Sequence, residues 1–254
     1  MNVVGEHGAQ IIGRDDVASL DTTTFDAALL DPGVVLLVDK PKGWTSFDVV
    51  AKCRGIFRVK KIGHTGTLDP MATGLLILCI GRATKLVDSL QATEKEYFGT
   101  MLMGATTSTD DAESDVSETF ATEHLNEQII CSAAQSFVGE IQQMPPMFSA
   151  RKVAGQRMYK LARRGEVVEV APRAVTVSTF EITLVDLPRV GFRVVCSKGT
   201  YIRSLARDLG RAVESGAHLT ELRRTRSGTM HVAQALTIEE LQSMRRQPED
   251  VRGT

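Results

Sequence analysis

Two short apolar runs, GVVLLVDKP at 33–41 and LLILCI at 75–80, limit most strongly what this chain can fold into. Neither run has a polar face to turn toward water. Each is far shorter than the roughly 20 residues that cross a bilayer. Short length, β-branched content and bounding Gly and Pro mark both as strands buried on two sides. A chain of 254 residues is long enough to cover such strands.

The pattern around them is mixed. Ser46 is the candidate cap of a helix running to about Phe57, and a short helix is expected over 83–90. KEYFGTMLMG (95–104) alternates like a strand ending at Gly104. The acidic stretch 105–121 reads as an exposed loop, followed by a helix over about 123–138. MPPMFSA (144–150) holds two prolines and must be irregular or an edge. RMYKLARRG (157–165) reads as a helix closed by Gly165. Strands over 174–186 and 190–197 lead through KGT into a helix from Tyr201 to about 214. A strand over 218–234 turns at Ser227-Gly228, and Thr237 with Glu240 forms a capping box for a last helix. Strands and helices do not alternate as regular βα units, so the expected class is α+β. Residues 1–30, acidic and weakly periodic, are expected to form a poorly ordered N-terminal extension outside the core.

The start, MNVVGEHGAQ, has neither a basic segment nor an apolar core of a secretory leader. Cys53, Cys79, Cys131 and Cys196 are widely spaced and form no CxxC pair, as expected of free thiols in a reducing cytoplasm. The net charge of −1 hides a strong segregation. Residues 1–39 carry seven acids and one Arg, and residues 110–128 carry seven acids and no Lys or Arg. Residues 40–65 hold seven bases against one acid, 151–173 seven against two, and 193–226 eight against three. Three basic segments on one face would suit a phosphate backbone; each is otherwise an ordinary solvated surface.

GHTGTLDPMATGLL (63–76) places one carboxylate, Asp69, in a Gly- and Thr-rich turn. Such an Asp serves either as a turn residue bonded to its own backbone or as a fixed charge or nucleophile. The loop ends in ATG where a Walker motif needs GK[ST], and it contains no GxGxxG. His7, His64, His124, His218 and His231 show no metal-ligand spacing, so no metal site is expected. In SKGTYIRSLARDLG (197–210), Tyr201 and Arg203 stand two apart at a loop-to-helix junction. An Arg there can keep a carboxylate ionised and fix its rotamer, or simply lie on the surface. Tyr97 in KEYFG and Leu222 in LRRTRSG read locally as sheet and core residues.

GHTGTLDPMATGLL resembles the signature of the bacterial TruB family, the tRNA pseudouridine-55 synthases. VDKPKGWTS (38–46), KEYFGTMLMG, PPMFSARKVAGQRMYKLARRG (145–165), SKGTYIRSLARDLG and AHLTELRRTRSG resemble its other segments in the same order, from residue 33 to about 241. Phe148 stands where many relatives have Tyr, and Ser114 where the acidic loop often has Gly. The resemblance implies a mixed, largely antiparallel sheet core of the pseudouridine synthase type, flanked by helices. It implies a catalytic domain over 31–247 with RNA-binding segments inserted at about 105–165, and no complete C-terminal domain of PUA type. It makes Asp69 the catalytic aspartate and Arg203 its partner. Tyr97 would pack on the target uracil, Tyr201 would assist proton handling, and Leu222 would wall the base pocket. His64 would enter the RNA loop, while Lys40 and Pro41 would support the pocket from below. The implied partner is the T-arm and T-loop of tRNA, met by a cytoplasmic monomer. Because uridine isomerisation involves no redox change or energy input, no cofactor is implied.

Overall fold

A computed structural model describes residues 2–4, 8–19, 32–91, 94–148, 152–153, 156–157 and 171–243. The chain divides into two compact units, Met1–Thr93 with Arg223–Thr254, and Glu94–Leu222. The expected helix at 157–165 falls almost wholly outside the described residues.

The first unit begins with β1 (Asn2–Val4), β2 (Ala9–Ile12) and a 3-10 turn at Arg14–Ser19. It continues through β3 (Val34–Lys40), α1 (Ser46–Phe57), β4 (Ile62–His64) and β5 (Thr73–Ile80). A 3-10 turn at Gly81–Leu86 then leads into α2 (Val87–Gln91). The second unit holds β6 (Lys95–Met103), β7 (Ala105–Thr107), β8 (Val116–Thr119), α3 (Glu127–Ser136) and β9 (Gly139–Gln143). It adds the short pair β10 (Lys152–Val153) and β11 (Gln156–Arg157), then β12 (Arg173–Asp186), β13 (Arg189–Cys196) and α4 (Ile202–Ala212). Strand β14 (Ala217–Ser227) gives its first six residues to the second unit and its last five to the first. β15 (Met230–His231) and α5 (Ile238–Ser243) complete the first unit.

The two apolar runs become β3 and β5, paired antiparallel with Leu36 opposite Leu78 and Leu37 opposite Ile77. Val35, Leu37, Leu75, Ile77 and Cys79 join Ala83, Leu90, Met230 and Ala235 in one core layer. The alternate residues Val34, Leu36, Val38, Leu76, Leu78 and Ile80 are buried too, as continuous apolar strands require. Part of the 1–30 stretch expected outside the core lies within it. β2 runs parallel to β3 with Ile12 opposite Leu36, and Ala9 and Ile12 are buried. Two isoleucines between polar neighbours are too brief for periodicity to mark, yet they cover the edge of β3. Residues 20–31 lie outside the described set.

In the second unit β6, β13, β12 and β9 form successive antiparallel pairs. Phe180 and Phe192, both buried, meet edge to face, 5.9 Å between centroids at 75°. The acidic stretch read as an exposed loop instead pairs β7 with β8 antiparallel, with Thr106 opposite Glu118. β8 is exposed throughout, but the turn before it is not: Asp111 is buried. The sheets are mixed and mostly antiparallel with flanking helices, an α+β fold. No helix among the described residues is long and apolar enough to cross a membrane.

Candidate active site

The Asp69 turn sits between β4 and β5, and three side chains hold its backbone at alternate residues. At Gly66, the buried Arg224 of β14 donates to the carbonyl at 3.2 Å while also donating to Leu75 O at 2.7 Å. At Leu68, the Ser46 hydroxyl accepts from the amide at 2.8 Å and donates to the carbonyl at 3.1 Å. At Pro70, the carbonyl accepts from the Gly43 amide at 2.8 Å and from the Lys40 ammonium at 3.3 Å. The turn closes with the Ala72 amide donating to Asp69 O at 3.0 Å. Asp69 itself is half-buried.

Lys40 is fully buried. Its ammonium also donates to Pro41 O at 3.0 Å and Trp44 O at 2.6 Å, so three carbonyls from two loops converge on one cation. Buried ammonium groups require such partners. Lys40 thus ties the loop after β3 to Pro70, the residue following Asp69. Ser46 does not cap α1. Thr45 does, accepting from the Asp48 amide at 3.1 Å while the Asp48 carboxylate accepts from the Thr45 amide at 2.8 Å. This leaves the Ser46 hydroxyl free to grip Leu68.

His64 ends β4 half-buried. Burial first, and the Arg224 charge second, hold its pKa below the ordinary value. The imidazole is therefore a neutral flat ring near neutral pH, suited to stacking. Burial pushes the Cys53 and Cys79 thiols up to about 12 and Cys196 up to about 11, so these three are not thiolate nucleophiles.

The second unit carries Tyr97, Tyr201, Arg203 and Leu222. Tyr97 is buried in β6 opposite Val194. Tyr201 is the N-cap of α4, and Gln143 clamps its backbone: the Tyr201 amide donates to Oε1 at 2.8 Å and Nε2 donates to Tyr201 O at 3.1 Å. Leu222 is buried in β14, on the same strand face as Arg224. Arg203 is buried in the first turn of α4; its guanidinium donates to Thr109 O at 2.8 Å and Phe148 O at 3.0 Å. Its Nε lies 3.5 Å from the Asp111 carboxylate. One helical turn on, Arg207 pairs with Asp110 at 3.0 Å and donates to Met144 O at 3.0 Å. Arginines four apart share a helix face, and together they hold the turn between β7 and β8 and the proline segment. The expected pairing of Arg203 with Asp69 joins residues of different units.

Sequence reasoning missed Ser46, Asp110, Asp111, Gln143 and Arg224. Thr45 with Asp48 was a readable capping box that released Ser46. Leu222 and Arg224, two apart on a strand, signalled an inward Arg. The two aspartates had no local signal, because their cationic partners lie more than 90 residues away. Asp111→Asn is expected to cost about 2 kcal/mol in urea unfolding, since the buried Arg203 guanidinium loses the carboxylate 3.5 Å from its Nε. It should also lower kcat with little change in KM. Unchanged stability would remove Asp111 from this arrangement.

Residues 54–202 match the model of the TruB family pseudouridylate synthase N-terminal domain. Residues 203–252 match that of the tRNA pseudouridylate synthase B C-terminal domain. The chain is 52% identical over 213 residues to tRNA pseudouridine synthase B of Flavobacterium johnsoniae, covering 81% of this chain and 93% of that protein. To the same-named protein of Thermobifida fusca it is 50% identical over 215 residues, covering 82% and 73%. Among solved structures, a chain of a Cbf5-Nop10-Gar1 complex aligns with a TM-score of 0.63 at 34% identity, over 82% of this chain and 52% of that one. A chain of the archaeal box H/ACA sRNP Nop10-Cbf5 complex aligns with a TM-score of 0.61 at 32% identity, over 83% and 53%. The chain thus spans about half the length of those two solved chains. A family model covering more than half of the sequence, and relatives about half identical over most of it, carry the assignment: the chain belongs to the TruB family of pseudouridylate synthases.

Proposed function

We propose that this protein isomerises uridine-55 in the T-loop of tRNA to pseudouridine, with Asp69 as the catalytic carboxylate. The N-glycosidic bond breaks, the uracil turns, and C5 bonds to the ribose C1′; the C5 proton is lost and N1 gains one. The sum is an isomerisation needing no oxidant and no external energy source. The observation that supports Asp69 best is its turn, gripped at residues 66, 68 and 70 by Arg224, Ser46 and Lys40. A group that must meet one ribose carbon benefits from such fixing.

Two routes use the same carboxylate. It attacks C1′ as a nucleophile, or it removes the C2′ proton on the way to a glycal. Either route needs the ionised form, and the proposal brings Arg203 to Asp69 at the bound nucleotide to favour it. Access to the base requires pulling it from the RNA stack, a cost of a few kcal/mol that is smaller in a loop than in a duplex. Neutral His64 takes up the vacated stacking position, Tyr97 covers the uracil and Leu222 walls it. Tyr201 lies beside the nucleotide and assists its proton transfers. Basic segments hold the T-arm backbone, and the protein acts as a cytoplasmic monomer.

The test is tRNA labelled with tritium at uracil C5, incubated with this protein alone. Label should appear in water in step with pseudouridine at position 55. Release of free uracil would mean a glycosidase, and tight binding without tritium release would mean an RNA-binding module; either ends the proposal.

A further inference from the structure

Helix α1 exposes a large aromatic ring to solvent. Phe47 is 65% exposed, the most exposed of the large apolar residues described. A lone exposed phenylalanine is unremarkable; this one has three particular surroundings. First, it follows Ser46 in the first turn of α1, and the Ser46 hydroxyl grips Leu68 beside Asp69. Second, the Arg54 guanidinium lies 5.9 Å from its centroid, within cation–π range, and is steadied by donating to Ile62 O at 3.3 Å. Third, residues 42–61 hold six bases (Lys42, Lys52, Arg54, Arg58, Lys60, Lys61) against the single acid Asp48. Asp48 accepts from the Thr45 hydroxyl and amide, so its charge is engaged in the helix cap. Lys42, Arg58, Lys60 and Lys61 are exposed.

We infer that Phe47 is a substrate-positioning residue that stacks on an unpaired nucleotide of the tRNA next to the everted uridine, while the surrounding bases neutralise its phosphates. An exposed ring amid cations is the arrangement that holds single-stranded nucleic acid: each base offers a π-face, and the backbone supplies the charge. The inference rests on the functional reading above and adds to it a contact outside the reacting atoms.

The experiment compares Phe47→Ala, Phe47→Leu, Phe47→Tyr and Phe47→Trp. It measures tritium release from tRNA and, separately, equilibrium tRNA binding by the Asp69→Asn protein with and without each change. Loss of the ring in the Ala and Leu variants should raise KM and the tRNA Kd about five- to tenfold. Their kcat should stay within about twofold. Tyr and Trp should behave like the parent protein. Because the side chain is exposed, folding is not at issue, and thermal unfolding should coincide for all five. Unchanged tRNA Kd in Phe47→Ala overturns the inference, as does full affinity in Phe47→Leu, which would reduce the ring to generic apolar surface. A parent protein that releases no tritium defeats the functional reading instead, and the binding comparison still decides the role of Phe47.

Discussion

Asp69→Asn is expected to lower tritium release on the order of 10⁴-fold or more, the scale seen when a reacting group is removed. The substitution keeps the shape and polarity of the side chain but removes its charge and its nucleophilic and basic character. Both proposed routes fail with it, because an amide neither attacks C1′ nor takes the C2′ proton. The backbone of the turn should keep its shape. The bonds holding residues 66, 68 and 70 come from Arg224, Ser46, Lys40 and Gly43, and the turn bond at Ala72 uses the Asp69 carbonyl rather than its side chain. The tRNA Kd should therefore stay within about threefold, and the damage should fall on kcat. A variant retaining a tenth of the parent rate would remove Asp69 from the chemistry.

Lys40→Met should cost about 4 kcal/mol in urea unfolding while leaving the apolar core intact. Methionine nearly fills the volume but donates nothing. Pro41 O and Trp44 O, both in part-buried bonds, lose their ammonium partner, and a carbonyl left unsatisfied away from water costs about 1–3 kcal/mol. Pro70 O keeps only the Gly43 amide. Because Pro70 follows Asp69, the same change should lower kcat on the order of 100-fold through a displacement of about 1 Å. A variant as stable as the parent would show that the carbonyls rehydrate and that the ammonium is ornamental.

Much of the architecture was legible because it is local. The runs at 34–38 and 75–80 could only be buried strands, and they are β3 and β5. Thr237 and Glu240 announced the cap they form, with the Glu240 amide donating to Thr237 Oγ1 at 3.1 Å. Tyr201 stands at the start of its helix as the spacing around KGT indicated. What escaped is non-local. Nothing in TTSTDDAESD tells an observer that Asp110 and Asp111 turn inward, because their burial is a response to Arg203 and Arg207. Asp110 also holds a left-handed backbone, φ 60°, and its carbonyl accepts from Leu219 at 3.1 Å. Strand β9, GEIQQ, was missed because only Gln143 of its five residues is buried, and it is buried in order to clamp Tyr201. Around Asp69 the TruB motifs named candidate residues, while the bonds that hold the Asp69 turn became visible only in three dimensions.

The grip on residues 66, 68 and 70 has a thermodynamic consequence. A loop that must be ordered on encounter consumes part of the association energy in lost backbone entropy, about 1–2 kcal/mol for each residue frozen. Here the side chains of β3, α1 and β14 have already made that sacrifice during folding. The free energy released when RNA docks is then left for unstacking a nucleotide, the one deformation the chemistry demands.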